Sequence, residues 1–166
     1  MHRFSIDLSV RLVAGILFAG CSGLSTADRI CPSSANLQCL RANYAKFTES
    51  QYQEFWAILS SAAASMADCK KASDVKDFME LVSLNPRSAD LDEFLSEKIE
   101  RLVVKDPTCA LKGIQGLTPS SRSLVLQRLR RPDFVEESQI RKVFSDAQSS
   151  SAFKALADDF FSLPAQ

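Results

Sequence analysis

The sequence has little histidine, little glycine and no long apolar run, and each shortage narrows what the protein can be. Its single histidine is His2. No other histidine is therefore present to bind a metal ion or to act as the base of a Ser-His-Asp triad. Five glycines in 166 residues, with little β-branched alternation, disfavour a β-sheet. Twenty basic residues balance twenty acidic ones, whereas nucleic-acid binding needs a concentrated positive face. We therefore expect no nucleic acid, no metal and no cofactor.

The first 21 residues have the pattern of an export signal. Arg3 and Arg11 provide a positive start, and residues 12–20 form an apolar run. This run is too short to cross a bilayer as a helix, which takes ~20 residues, but it fits the apolar region of a secretory signal. It ends in Phe18-Ala19-Gly20-Cys21, which resembles the lipobox of bacterial lipoproteins, where small residues precede an acylated cysteine.

The resemblance implies a membrane anchor and a location. Residues 1–20 would be removed as a signal peptide, and Cys21 would carry the lipid. In that family, an Asp directly after the acylated cysteine favours the inner membrane. This chain has Ser22 at that position, which implies by the same analogy an outer-membrane lipoprotein that faces the periplasm. Residues 21–30 then form a tether. A secreted or periplasmic protein, cut after Ser25-Thr26-Ala27, is the alternative.

The cysteine count agrees with export. The chain has five cysteines, and assigning one to the lipid leaves Cys31, Cys39, Cys69 and Cys109. Four cysteines can close two disulfides in an oxidising compartment, and three pairings are possible. We favour Cys31–Cys39, which closes a short loop, together with Cys69–Cys109, which ties the end of one helix to the start of another.

Helix signals begin soon after the tether. The pattern predicts a first helix over residues 35–47. Ser50 with Gln53 three residues later forms a capping box that opens a second helix. Ser73 and Asp90 are the predicted caps of the next two helices.

Later helices have stronger start signals. Asp106-Pro107 and Thr118-Pro119 each place a cap residue before a proline at the first helical position. Gly116 is the predicted end of the helix between them. A further helix is predicted over residues 135–147, and a last one begins near Phe153.

The mature chain therefore has the pattern of an all-α protein. Seven or eight short helices joined by tight turns predict one domain over residues 31–166, a compact orthogonal or irregular bundle with two disulfides. The similar lengths of segments 90–116 and 118–147 leave stacked helical pairs as an alternative.

Charge is unevenly distributed along the mature chain. Eight acidic residues lie between residues 72 and 100: Asp74, Asp77, Glu80, Asp90, Asp92, Glu93, Glu97 and Glu100. Six basic residues lie between residues 122 and 142: Arg122, Arg128, Arg130, Arg131, Arg141 and Lys142. These segments are solvated faces, complementary helices within the fold, or a surface that steers a protein partner.

Five residues are the candidates for partner binding. Arg is enriched at binding hot spots, which points to Arg128, Arg130 and Arg131. The terminal pair Phe160-Phe161 either closes the core or docks a partner.

Glu49-Ser50 resembles the Glu-Ser pair of lytic transglycosylases, which cleave peptidoglycan with one glutamate of raised pKa. The Gly-Leu-Met-Gln-type stretch of that family is absent downstream, where residues 62–66 read Ala-Ala-Ala-Ser-Met. Glu49 is also well placed to oppose a helix dipole. A cell-wall enzyme is therefore a remote alternative.

The expected function is binding without catalysis. A helical domain that is anchored to a membrane and held by two disulfides is expected to bind a protein of the cell envelope. It would act as an immunity or inhibitor protein or as an assembly factor. A helical carrier of a lipid or small apolar ligand is the second hypothesis, and a closed apolar cavity would favour it.

Overall fold

The computed structural model describes residues 30–31, 37–84 and 88–164. This part of the chain contains nine α-helices, one 3₁₀ helix and no β-strand. The α-helices are α1 Leu37–Ala42, α2 Tyr44–Ser50, α3 Tyr52–Asp68, α4 Ala72–Met79, α5 Ala89–Lys105, α6 Pro107–Gln115, α7 Pro119–Leu129, α8 Glu137–Gln148 and α9 Lys154–Ser162. The 3₁₀ helix Glu80–Leu84 directly follows α4. The predicted all-α fold is confirmed. The predicted leader, Cys21 and the tether up to residue 29 lie outside the described residues.

The helix starts that combine a cap with a proline are placed as predicted. The Asp106 carboxylate accepts a hydrogen bond from the Cys109 N–H at 3.1 Å, and the Thr118 hydroxyl accepts one from the Ser121 N–H at 3.4 Å. Gly116 ends α6. These positions are well defined because proline fixes the first helical φ and needs no N–H partner.

The first predicted helix is wrong in its extent, because it is divided at Asn43. The Asn43 side chain donates to the Cys39 carbonyl at 3.0 Å, a local bond of the kind that competes with helix continuation. The predicted capping box at Ser50 is also wrong. Ser50 ends α2 and its hydroxyl donates back to the Lys46 carbonyl at 2.8 Å, so α3 begins at Tyr52 with Gln51 before it.

Two further caps lie earlier than the sequence predicts. Lys71 rather than Ser73 precedes α4, and Ser73 lies inside its first turn, where its hydroxyl contacts Asp74. Ser88 rather than Asp90 caps α5, accepting a hydrogen bond from the Leu91 N–H at 3.4 Å. Before α5, Ser88 and Asp90 are both able to cap, so composition alone leaves a choice of two positions. Before α4, the Lys71 side chain makes no capping hydrogen bond, so this helix begins without a side-chain cap.

The helices form an irregular bundle around one apolar core. Contacts between α4 and α6, between α5 and α8, and between α7 and the 3₁₀ helix join elements that are distant in sequence. Gly113 permits the close approach of α6 to α4, because a Cβ there would lie 2.4 Å from Cγ1 of Val75. On the other side, Phe144 of α8 stacks on Phe160 of α9, with ring centroids 3.9 Å apart.

Two disulfides join the pairs favoured from the sequence. Cys31 is bonded to Cys39 with a Cα–Cα distance of 6.1 Å, and Cys69 to Cys109 with 6.3 Å. Cys69 ends α3 in the left-handed conformation, with φ of 47°. The second disulfide therefore ties the end of α3 to the first turn of α6.

No helix among the described residues is both long enough and apolar enough to cross a membrane.

Candidate functional site

An open groove lies between α2, α3 and the start of α5. Its volume is about 560 Å³, within the range of ligand sites. The lining residues are Tyr44, Ala45, Thr48, Glu49, Tyr52, Phe55, Trp56, Leu84, Ser88 and Leu91. We call this feature the aromatic groove. It is mostly apolar, with few polar groups along its edge.

Aromatic rings form a continuous wall of the groove. Tyr44 meets Phe55 with centroids 5.8 Å apart, and Phe55 meets Trp56 at 5.5 Å. Trp56 in turn meets Tyr52 at 6.0 Å. The interplanar angles lie between 65° and 81°, so the rings meet edge to face, the arrangement that their quadrupoles favour. In such a pair, the ring that offers its edge leaves both of its own faces outside that contact.

Tyr52 is the most exposed member of this wall. Its side chain is 50 % exposed, and among the described residues only Leu124, at 42 %, is a comparably exposed large apolar side chain. Tyr52 is the first residue of α3, so no earlier turn of that helix covers it. Tyr44 is half-buried, and this burial raises the pKa of its phenol.

Glu49 is the one charged residue among the described residues that line the groove. It is exposed, and no basic side chain of the described segments lies within ion-pair distance of it. Two other polar residues of the groove have their hydroxyls engaged. Thr48 donates to the Ala45 carbonyl at 2.9 Å, and Ser88 caps α5. The free polar chemistry of the groove is therefore a carboxylate and tyrosine hydroxyls.

The structure places the candidate Arg128 in an internal ion pair. Its guanidinium donates to the Asp92 carboxylate at 2.5 Å, to the Asp92 carbonyl at 2.9 Å and to the Ser96 hydroxyl at 2.5 Å. The Arg128 side chain is only 19 % exposed. Here the acidic and basic segments complement each other within the fold, joining α5 to α7.

The remaining partner-binding candidates lie at the α7–α9 end of the molecule. Phe160 is buried in the core, and Arg130 lies over its ring at 5.2 Å. Phe161 is half-buried against Phe160, with centroids 5.1 Å apart. Arg131 is exposed. Of the five candidates, Arg131 offers the freest side chain, and a partner-binding role for these residues stays a prediction.

Two of the eight acidic residues of segment 72–100 are buried, which sequence reasoning missed. Glu80 is 2 % exposed. Its carboxylate accepts hydrogen bonds from the Ser121 hydroxyl at 2.6 Å and the Thr118 N–H at 2.9 Å, and Arg41 lies 3.9 Å away. Burial raises the pKa of Glu80, but the hydrogen bonds and the positive charge outweigh it, so the pKa lies below its ordinary value.

Glu100 is fully buried and has no cationic partner among the described residues. It accepts hydrogen bonds from the backbone N–H groups of Asp133 at 3.2 Å and Phe134 at 2.7 Å, which hold the loop between α7 and α8. Burial raises the pKa of Glu100 above its ordinary value, despite these two bonds. Both buried glutamates have structural contacts, and neither opens on the aromatic groove.

One cluster has the residue types of a metal site but not the chemistry. Cys69, Asp106 and Cys109 bring their side-chain atoms within 4.8 Å of one another. The two sulfurs are bonded to each other, and Asp106 caps α6. A metal ion needs a thiolate rather than a disulfide sulfur, so this cluster is a helix junction.

A smaller cavity of about 200 Å³ lies between α7 and α9. Arg122 lines it, and the Nε of this residue is buried without a hydrogen-bond partner in the described part of the chain. The guanidinium Nη2 closes the end of α6 by donating to the carbonyls of Gln115 at 2.8 Å and Leu117 at 3.3 Å. Arg122 therefore has a structural role, because its hydrogen bonds hold the carbonyl groups at the end of α6.

No protein-family model, no curated protein and no solved structure matches this chain. The role of the aromatic groove therefore has to follow from its own side chains.

Proposed function

We propose that this protein is an exported lipoprotein whose helical domain binds a protein partner of the cell envelope at the aromatic groove. The leader and Cys21 supply the argument for export and anchoring, to the outer membrane by analogy. The two disulfides support an oxidising compartment. Binding serves either to neutralise an enzyme, as immunity and inhibitor proteins do, or to help assemble an envelope structure.

The exposed aromatic wall of the groove carries this proposal. Tyr and Trp are enriched at binding hot spots, where a large ring fills a pocket of the partner or accepts its side chains. A folded monomer gains nothing from leaving Tyr52 half exposed beside Trp56, whereas a partner that covers both rings buries apolar area. The groove therefore suits docking better than does the region of Arg128, whose charge is already neutralised by Asp92.

Catalysis by Glu49 has little support. A glutamate that acts as a general acid at neutral pH is kept protonated by burial, whereas Glu49 is exposed at the groove edge. The neighbouring Ser50 hydroxyl is bonded to the Lys46 carbonyl. We expect the purified protein to digest no peptidoglycan; digestion that disappears in Glu49→Gln would reverse this assignment.

A carrier of a lipid or small apolar ligand is supported less well than a protein binder. The groove volume suits a small ligand, but the groove is open to solvent and has a carboxylate at its edge. Native mass spectrometry distinguishes the two functions, because a carrier retains a bound small molecule and a protein binder does not.

Site-specific photo-crosslinking in living cells tests the proposal. A photoreactive phenylalanine analogue replaces Tyr52 in the full chain, and a matched chain has it at Leu124, which is similarly exposed but lies on α7. We expect one protein to be crosslinked from position 52 and not from position 124. The identified protein, once purified, should bind the native chain and lose about tenfold or more in affinity for Tyr52→Ala, as hot-spot residues do. Equal crosslinking from both positions, or an unchanged affinity, would contradict the proposal.

A further inference from the structure

We propose that the aromatic groove recognises an organic cation, and that this cation is a Lys or Arg side chain of the protein partner. The inference rests on the proposed function and names the chemistry of the group that enters the groove. It follows from the rings, from the single charge at the groove edge and from the absence of a competing cation on the described lining.

The rings supply a surface of negative potential. The face of an aromatic ring attracts a cation placed within about 6 Å of its centroid, most strongly for Trp and Tyr. Tyr44, Tyr52 and Trp56 all line the groove. Trp56 also meets Phe55 and Phe94, with centroids 5.5 and 5.4 Å away, so the half-exposed ring of Tyr52 is the one best placed to offer a face to a cation. Rings at steep angles to one another can surround a cation from more than one side.

The charge of the groove fixes the sign of the ligand. Glu49 lies three residues before Tyr52, and its carboxylate has no cationic partner among the described side chains. An anionic ligand would meet this carboxylate and the negative ring faces, and a neutral apolar ligand would gain nothing from the carboxylate, which is exposed to water. A cation on an aliphatic stem satisfies both, because the stem covers the apolar floor formed by Phe55 and Leu91.

The start of α5 also faces the groove, through Ser88. A helix N-terminus has a partial positive charge, which would oppose a cation. Asp90 and Asp92 lie in the first turn of α5 and offset that charge. Asp92 is paired with Arg128, whereas Asp90 is exposed and has no ion-pair partner within the described segments. The unpaired charges that the structure describes on the groove lining and in the first turn of α5, those of Glu49 and Asp90, are therefore negative.

The chain provides its own reporter for this site. Trp56 is the only tryptophan of the sequence and lies in the groove wall, so a change in tryptophan fluorescence reports occupancy there. The purified full chain, in a non-ionic detergent without choline, is titrated with three peptides of sequence Gly-Ser-X-Ser-Gly, each acetylated at its N-terminus and amidated at its C-terminus so that only X can carry a charge. X is Lys, Arg or norleucine, whose side chain resembles that of Lys without the ammonium group. Choline at matched ionic strength is the fourth probe.

We expect saturable binding of the Lys and Arg peptides, and binding of the norleucine peptide about five- to tenfold weaker, because the cation–π interaction is lost. Tyr52→Leu should weaken binding of the Lys peptide by about three- to tenfold, whereas Tyr52→Phe keeps the ring and most of the affinity. Glu49→Gln should also weaken it. Glu93→Gln, an exposed position on α5 that does not line the groove, should not. Glu49 is exposed, so its variant keeps the fold and the test valid.

Three results would overturn the inference. Equal binding of the norleucine and Lys peptides would show an apolar groove without cation selectivity, which leaves the protein-binding proposal intact. Binding of choline without binding of the Lys or Arg peptides would assign the site to a small quaternary cation or a lipid headgroup. The absence of any saturable change in fluorescence would remove the cation site altogether. A failed crosslinking experiment with a selective Lys response would contradict the protein-partner function and the assignment of the cation to a partner protein, and it would leave only the cation selectivity of the groove.

Discussion

The Ser121 hydroxyl donates to the buried carboxylate of Glu80 across 2.6 Å, and this bond joins the 3₁₀ helix to the first turn of α7. The same carboxylate accepts from the Thr118 N–H, which is otherwise an unpaired donor before a helix. A charged side chain from a distant element thus completes the cap of α7. The contact orients α7 against the end of α4.

Removing this contact should destabilise the fold strongly. Glu80→Ala leaves the Ser121 hydroxyl and the Thr118 N–H without their acceptor, so we expect a loss of about 3 kcal/mol in the free energy of unfolding. Ser121→Ala removes one hydrogen bond to a charged group, worth about 2 kcal/mol. Urea unfolding of both variants measures this, with the exposed Glu93→Gln as the control. Losses equal to that of the control would show that the contact contributes nothing.

The two buried glutamates should give stability opposite dependences on pH. The pKa of Glu80 is lowered in the fold, so its contribution is complete above its unfolded pKa and is lost as the pH falls through the folded value. The pKa of Glu100 is raised, so its contribution is complete below its unfolded pKa and is lost as the pH rises through the folded value.

Urea unfolding between pH 3 and pH 7 separates these effects. The advantage of the native chain over Glu80→Gln should shrink toward pH 3, and its stability relative to Glu100→Gln should fall as the pH rises from about 4 toward 7. Parallel curves for the native chain and both variants would contradict the assignment of these two groups.

The disulfides should differ in their contributions to stability. Cys69–Cys109 spans 40 residues of sequence and Cys31–Cys39 spans 8, so the chain-entropy model gives about 4 and about 2.5 kcal/mol respectively. The double variant Cys69→Ala/Cys109→Ala should therefore unfold at lower urea concentration than Cys31→Ala/Cys39→Ala. The reverse order would show that local contacts near Cys31, rather than loop closure, dominate.

Substitutions of Arg128 and Arg131 should differ in their effect on stability. Arg128→Ala breaks the contacts with Asp92 and Ser96 and should cost about 1 kcal/mol. Arg131 is exposed, so Arg131→Ala should change stability by less than about 0.5 kcal/mol. Thermal unfolding of the two variants measures this. Equal melting temperatures would mean that the Arg128 ion pair is not a stabilising link between α5 and α7.

The fold could be predicted from local signals where these were unambiguous. Asp106-Pro107 and Thr118-Pro119 start helices because the cap and the proline act within one turn. The predicted caps at Ser50, Ser73 and Asp90 are wrong. The helices α3 and α4 begin without a side-chain cap, and Ser88, two residues before Asp90, caps α5. The favoured disulfide pairing is confirmed: Cys31–Cys39 closes a short loop, and Cys69–Cys109 joins the end of α3 to the first turn of α6.

The aromatic groove could not be predicted in the same way. Tyr52 and Trp56 lie at helical spacing on the apolar face of α3. This spacing predicts burial, but it does not show which part of the face the neighbouring helices leave uncovered. The burial of Glu80 and Glu100 depends on α7 and on the loop after it, 38 and 33 residues away. Such long-range contacts have no local signature, so the sequence does not distinguish these two residues from the other six acidic residues of segment 72–100.

The mass of the native protein purified from its own membranes tests the central claim, which is that the chain is exported and anchored through Cys21. We predict a mature N-terminus at Cys21 that carries a lipid, and no cysteine that reacts with an alkylating reagent before reduction. A mass that retains residues 1–20, with alkylation of Cys31, Cys39, Cys69 and Cys109, would place the protein in a reducing compartment and contradict the account.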